Sequence, residues 1–382
     1  MKRLFLPVSS IMGICFLLLS GNNCYGQSLN FIYKAGDEGY SCFRIPAMVT
    51  TKKGTVLAIS EGRRNNCGDA GDIDLVVKRS FDGGKTWGPL QVIWSDSTNT
   101  CGNPSPVVDN KTGEIILLST WNLGTDHEKN IVNQTSRDTR KVFVLSSADD
   151  GSTWSSPQDI TKSVKQDNWT WYATGPGAAI QIKKGKYKGR LVVACDHIEA
   201  VSKTSCSHTI YSDDDGKTWV LGGTVPQGKV NESTVAELPD SRLMLNMRNA
   251  GEARYRQVAF STDGGKSWSD IHADSTLIEP VCQGSLIQYS YRSKKKFMVF
   301  SNPASKTSRE AMTVRLSYDK GKTWPLSKLL YSGPSAYSCL AVLPDGNIAC
   351  LFEAGYAKAY EGLVFSEIEL KAFSNQAGDT NP

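Results

Sequence analysis

Three arginines, Arg44, Arg248 and Arg309, stand at comparable points of this chain, each beside the end of a pair of apolar runs. Glu61, Arg63 and Asp69 follow the first such pair, Glu232 precedes the fourth, and Tyr337 and Glu353 bracket the sixth. A guanidinium is planar, permanently charged and able to grip a carboxylate or phosphate through two parallel hydrogen bonds. Any one Arg or Glu taken alone is most often a solvated surface residue. Coincident placement at equivalent ends points instead to a pocket for an anionic ligand.

The elements that must hold these residues are apolar hairpins. Val-, Ile- and Leu-rich runs meet across turn residues in Ala47–Ser60 around Gly54, Pro106–Thr120 around Gly113, and Ala179–Cys195 around Gly185 to Gly189. The pattern continues in Val235–Asn246 around Asp240, Ser285–Asn302 around Arg292, and Leu340–Glu353 around Asp345-Gly346. After each of the first five comes the box Ser-x-Asp-x-Gly-x-Thr-Trp, at Ser80–Trp87, Ser147–Trp154, Ser212–Trp219, Ser261–Trp268 and Ser317–Trp324, with Ser267 as the one deviation. The Asp and Gly fit a tight hairpin turn, and the Trp fits as a plug between strands. A local motif repeated at such intervals marks stacked supersecondary units.

Two hairpins per repeat give four antiparallel strands, and six repeats give an all-β, six-bladed β-propeller. The sixth unit lacks a box and ends at Leu363–Leu370, so a strand near Leu29–Tyr33 is expected to close the ring. In such a ring the start of each first strand and the end of each second strand lie on one face. The boxed turns fall on the other. The boxes are therefore structural, and the chemistry belongs at the hairpin ends.

Lys2-Arg3, an apolar run from Leu4 to Ser20 and the small-residue region Cys24-Tyr25-Gly26 read as an export signal over 1–26, leaving 27–382 as the propeller. The apolar run is too short, and too interrupted by Pro7 and Gly13, for a membrane anchor. Asn23 stands where a lipoprotein signal needs a small residue. Export places the protein in the periplasm, the medium or at the cell surface. The net charge of +5 falls to +3 without Lys2 and Arg3, and no basic tract gathers it, which argues against nucleic acid. The run Lys294-Lys295-Lys296 reads as a solvated turn. No CxxC pair suggests zinc, while Cys195–Cys206 and Cys67–Cys101 are plausible disulfides in an oxidising compartment.

Arg44-Ile45-Pro46, the boxes, Asn231-Glu232-Ser233, Asn246-Met247-Arg248 and Ala336-Tyr337-Ser338 resemble the bacterial exo-α-sialidases, or neuraminidases, across nearly the whole mature chain. The boxes alone are weak evidence; joined with the Arg-Ile-Pro, Glu and Tyr segments they are strong. The resemblance implies that Arg44, Arg248 and Arg309 grip the sialic acid carboxylate. Arg309 is preferred to Arg315, which stands two residues before the fifth box on a strand heading for the other face. Asp69 is implied as acid/base, ahead of Asp72 and Asp74, because Ile73-Asp74-Leu75 already reads as the next strand. Tyr337 is implied as nucleophile, Glu232 as its base, Arg63 as a contact to the 4-hydroxyl and Glu353 as the partner orienting Arg44.

Those types suit the chemistry. A carboxylate nucleophile would be repelled by the substrate's own carboxylate, whereas a phenol approaches neutral. With an ordinary pKa of about 10 that phenol needs an adjacent base. Trp121 is a candidate for an N-acetyl pocket or for packing between blades. His197 lacks an accompanying serine nucleophile motif, and Gly175-Pro176-Gly177 shapes backbone near the axis rather than binding phosphate. No metal or cofactor is implied. The expected activity is release of terminal sialic acid from glycoconjugates, with transfer to another sugar, or binding without turnover, as the alternatives. Loss of Tyr337, Glu232 or Asp69 would mark a non-catalytic binder, and all three are present.

Overall fold

The structure, a computed structural model, describes Met1 and residues 28–291 and 296–376. The rest of the expected export signal, Arg292, Lys294 and Lys295 lie outside the described residues.

The fold is all-β, built from runs of four antiparallel strands. In the first run Cys42–Thr50, Val56–Arg63, Ile73–Ser80 and Gln91–Trp94 pair in chain order. Thr100–Val108, Ile115–Asn122, Lys141–Ser147 and Gln158–Asp159 repeat the order, joined to the first run by one parallel pair, Ile73 with Thr100. In the next run the inner strand is split into Trp169–Thr174 and Ile180–Gln181, both pairing with Leu191–Glu199, which continues to Ser205–Ser212 and Val220–Thr224. Val230–Glu237, Leu243–Asn249, Tyr255–Ser261 and His272–Ile278 form a separate four-stranded sheet. The last sheet runs from Ser285–Tyr289 through Phe297–Pro303 and Glu310–Ser317 to the long strand Leu326–Val342. That strand also opens the final run, continuing through Ile348–Ala354 and Gly362–Ile368 to Phe31–Lys34. The expected closing strand is thus present, with Tyr33 opposite Leu363.

Each box makes the same bonds. In the first, Ser80 Oγ contacts Asp82 Oδ1 at 2.8 Å and accepts the Gly84 N–H at 2.7 Å, while Asp82 accepts both the backbone N–H and the hydroxyl of Thr86 at 2.9 and 2.6 Å. Asp149, Asp214, Asp263 and Asp319 repeat the grip on the Thr or Ser four residues on. Gly84 has φ +96°, and a Cβ there would collide with the Phe365 ring, so only glycine fits. Trp87 packs edge-on to the same Phe365, carrying the turn into the core shared by the first and last runs.

The disulfide expectation is corrected. Cys42 pairs with Cys67, and Cys101, Cys195 and Cys206 are free and buried. Strand register is the reason: Cys195 stands opposite His208 and Cys206 opposite His197, two positions out of step, while Cys101 stands opposite Trp121. Cys42 stands opposite Arg63, four residues before Cys67, which lets the loop fold back onto it.

Candidate active site

One cavity of about 440 Å³ collects Arg44, Arg63, Asp69, Glu232, Arg248, Arg309 and Tyr337 from widely separated parts of the chain. Arg44 lies within the first strand rather than ahead of it, beside an irregularity spanning Arg44 to Ala47. Ile45 there has φ +59°, an unfavourable region for a β-branched residue. Its N–H donates to Glu353 Oε1 at 2.9 Å, and the same oxygen accepts Arg44 Nε at 3.0 Å. Glu353 is wholly buried and also accepts the Tyr337 N–H at 3.2 Å. This carboxylate sits behind the cavity and fixes both Arg44 and the Tyr337 backbone.

The Tyr337 hydroxyl donates to Glu232 Oε1 at 2.6 Å and accepts from Arg248 Nη1 at 3.0 Å. Arg248 also pairs with Glu232 Oε2 at 2.6 Å and donates through Nε to Asn231 Oδ1 at 2.8 Å. Burial and the Glu232 carboxylate raise the Tyr337 pKa well above its ordinary value, against the pull of Arg248, Arg44 and Arg309. The phenol is therefore neutral. Arg309 donates to Tyr360 Oη at 2.8 Å and to the Val281 carbonyl at 3.0 Å. Arg315 is buried elsewhere, donating to Asn302 Oδ1 at 2.9 Å, and does not line the cavity.

Asp69 stands at the mouth with its side chain 69% exposed, held by Arg63 at 2.8 Å and Arg44 at 3.2 Å. Burial of its inner side would raise its pKa, but Arg63 and Arg44 together hold it below the usual carboxylate range. The Cys42–Cys67 bridge ties the strand two residues before Arg44 to the loop two residues before Asp69. Neither rival carboxylate lines the cavity. Asp74 is buried against Tyr40 and Arg64, and Asp72 pairs with Arg64.

Trp121 is not brought to the cavity: its Nε1 donates to Asp96 at 2.7 Å and its ring lies under Lys141. The tryptophan that lines the cavity is Trp171, with the Arg140 guanidinium 4.0 Å from its ring centre. Arg140, Glu128, Asp196 and Tyr360 also line it and were not anticipated. Arg140 immediately precedes a third strand, and third strands start on the same face where second strands end. Counting only the inner hairpins overlooked that set of ends. Trp171 lies in Trp169–Thr174, whose polar and aromatic mixture hides a strand. Asp196 is buried with Oδ1 unpartnered among the described atoms, and burial with nearby Glu232 holds its pKa well above the ordinary value. His197 points away, stacked on Trp169 with ring centres 3.5 Å apart and Nδ1 3.0 Å from His208 Nδ1.

Residues 54–350 match the BNR repeat-like domain family. A sialidase of Micromonospora viridifaciens is 35% identical over 345 residues, 85% of this chain and 52% of that protein. An exo-alpha-sialidase of Aspergillus fumigatus is 33% identical, over 83% of this chain and 80% of its own length. The chain belongs to the sialidase family. A solved Hadza microbial sialidase superposes with a TM-score of 0.82 at 33% identity, covering 90% of this chain and 68% of that one. The chain thus spans about half the length of its Micromonospora relative. The all-β, propeller-type scaffold is shared with that solved sialidase. No described helix is long and apolar enough to cross a membrane.

Proposed function

We propose that the protein is an exported exo-α-sialidase that hydrolyses terminal α-linked sialic acids of glycoproteins, glycolipids and oligosaccharides. The observation that carries this is the single cavity holding three cationic forks, Arg44, Arg248 and Arg309, around a neutral phenol already bonded to a carboxylate. The forks bind the sugar carboxylate and fix the anomeric carbon near Tyr337. Tyr337 attacks that carbon as its proton passes to Glu232, giving a tyrosyl-sialosyl intermediate. Asp69 protonates the departing glycosidic oxygen, then takes a proton from the water that releases the sugar, with net retention. Arg63 contacts the 4-hydroxyl, and Glu353 orients Arg44.

The scaffold is a six-bladed propeller over residues 27–382. A cavity of about 240 Å³ away from the site is lined by Met48, Val107, Ile180, Ala236, Ile287 and Leu340, one from each proposed innermost strand, as six blades around one axis require. The test of activity is release of free sialic acid from α2-3 and α2-6 sialyllactose. Tight binding of a sialic acid analogue with no release from either would leave a binding propeller in its place.

A further inference from the structure

A second cavity, of about 510 Å³, adjoins the first and shares Asp69, Glu128 and Ile198 with it. Its other walls are Ala70, His127, Lys129 and Val132, and none of the arginines of the first cavity reaches it. The short helix Glu128–Val132 that forms one side is fixed in place. Ile131 is buried beneath it, Lys203 Nζ donates to the Val132 carbonyl at 2.5 Å, and Asp126 accepts the N–H groups of Arg137 and Asp138 at 3.1 and 3.0 Å.

We propose that this second cavity binds the leaving sugar and selects a neutral hexose over a second sialic acid. The inference rests on the reading of Asp69 as the acid, which places the glycosidic oxygen at the boundary of the two cavities. The arginines hold the sialic acid on one side, so the leaving group projects from Asp69 into the other. A sugar ring offers an apolar C–H face and a hydroxyl edge. Val132, Ile198 and Ala70 suit the face, while Glu128, Lys129 and His127 suit the edge. An anionic sugar would meet Glu128 with no guanidinium fork to receive its carboxylate, only the single ammonium of Lys129.

The experiment measures kcat/KM on 3′-sialyllactose and on α2-8-linked disialic acid, with affinity for 2-deoxy-2,3-didehydro sialic acid, which carries no leaving sugar. Val132→Trp should lower kcat/KM on sialyllactose by about tenfold and leave inhibitor affinity within about threefold. Lys129→Trp, at an exposed position, gives the same reading if the first variant folds poorly. Glu128→Gln should narrow the preference for sialyllactose over disialic acid by about fivefold. Unchanged turnover in both tryptophan variants, equal loss of inhibitor affinity, or a wild-type preference for disialic acid would overturn the assignment. Wild-type protein that neither cleaves nor binds the inhibitor would instead overturn the sialidase reading itself, a distinct result.

Discussion

Tyr337 Oη donates to Glu232 Oε1 at 2.6 Å across 105 residues of chain, in a site where the phenol is also flanked by Arg248, Arg44 and Arg309. A proton shared along this bond lets the oxygen gain nucleophilicity without carrying full charge into a buried site. Tyr337→Phe removes the attacking atom and keeps the ring. Inhibitor affinity should stay within about tenfold, roughly 1.4 kcal/mol. Turnover should drop by at least about a thousandfold, roughly 4 kcal/mol of barrier. A fluorinated sialosyl substrate that traps the intermediate should label the peptide containing Tyr337; label on Glu232 or Asp69 would reassign the nucleophile.

The two candidate third arginines occupy different environments, which makes them separable. Arg309 faces the cavity beside Tyr360, while Arg315 donates to Asn302 within the sheet. Arg309→Ala should weaken inhibitor binding and turnover together, since a carboxylate contact acts in ground and transition states alike. Arg315→Ala should act on stability instead, read in urea unfolding, with inhibitor affinity per folded molecule unchanged. The opposite pattern would transfer the role to Arg315.

Much of the site was legible because repeat topology converts sequence position into spatial position. Arg44, Glu232, Arg248, Arg309 and Tyr337 are far apart in the chain, yet all sit at hairpin ends, and hairpin ends converge. What the repeat does not encode was lost. Trp121 satisfied the same positional rule but turned outward to Asp96, because successive strand residues face opposite sides and register decides which. Arg140 was missed because it precedes a third strand rather than an inner hairpin, and its support comes from neutral oxygens of Asn122, Asn103 and Thr120 brought in from neighbouring strands. The Cys42–Cys67 bridge depends on how the loop after Arg63 folds back, and loop path leaves no periodic trace.

The His197–His208 pair predicts acid lability. Burial, with Lys165 nearby, lowers the His197 pKa from 6.5 to about 3, and His208, buried beside it, is also lowered. Both are neutral in the fold and take up protons only on unfolding. Their folded values lie below the unfolded ones, so stability present above about pH 6.5 is lost progressively towards pH 3. Lys165 also faces this pair, and burial beside Arg140 lowers it to about 7, so it is mostly protonated in both states across the acid part of that window. Urea unfolding midpoints should fall steadily from pH 6.5 to 4. His208→Asn, which can still donate to His197, should flatten that slope; an unchanged slope would place the acid sensitivity elsewhere.

Asp69 poses the sharpest electrostatic test, because Arg63 and Arg44 keep ionised a group that the proposed mechanism needs protonated. The substrate resolves the conflict. Its carboxylate takes up Arg44 and adds a negative charge nearby, both of which raise the Asp69 pKa towards the value an acid needs. Activity that depends on protonated Asp69 falls as pH rises through its pKa, at low pH in the free enzyme and at higher pH in the complex. The alkaline limb of kcat should therefore lie at least about one pH unit above the corresponding limb of kcat/KM, since the first reports the complex and the second the free enzyme. Asp69→Asn should abolish both limbs together with most of the turnover on sialyllactose. Coincident limbs in the wild type would mean that substrate binding does not retune Asp69, and the acid would have to be sought in Glu128 or Asp196, the carboxyl groups of the same cavity already raised by burial.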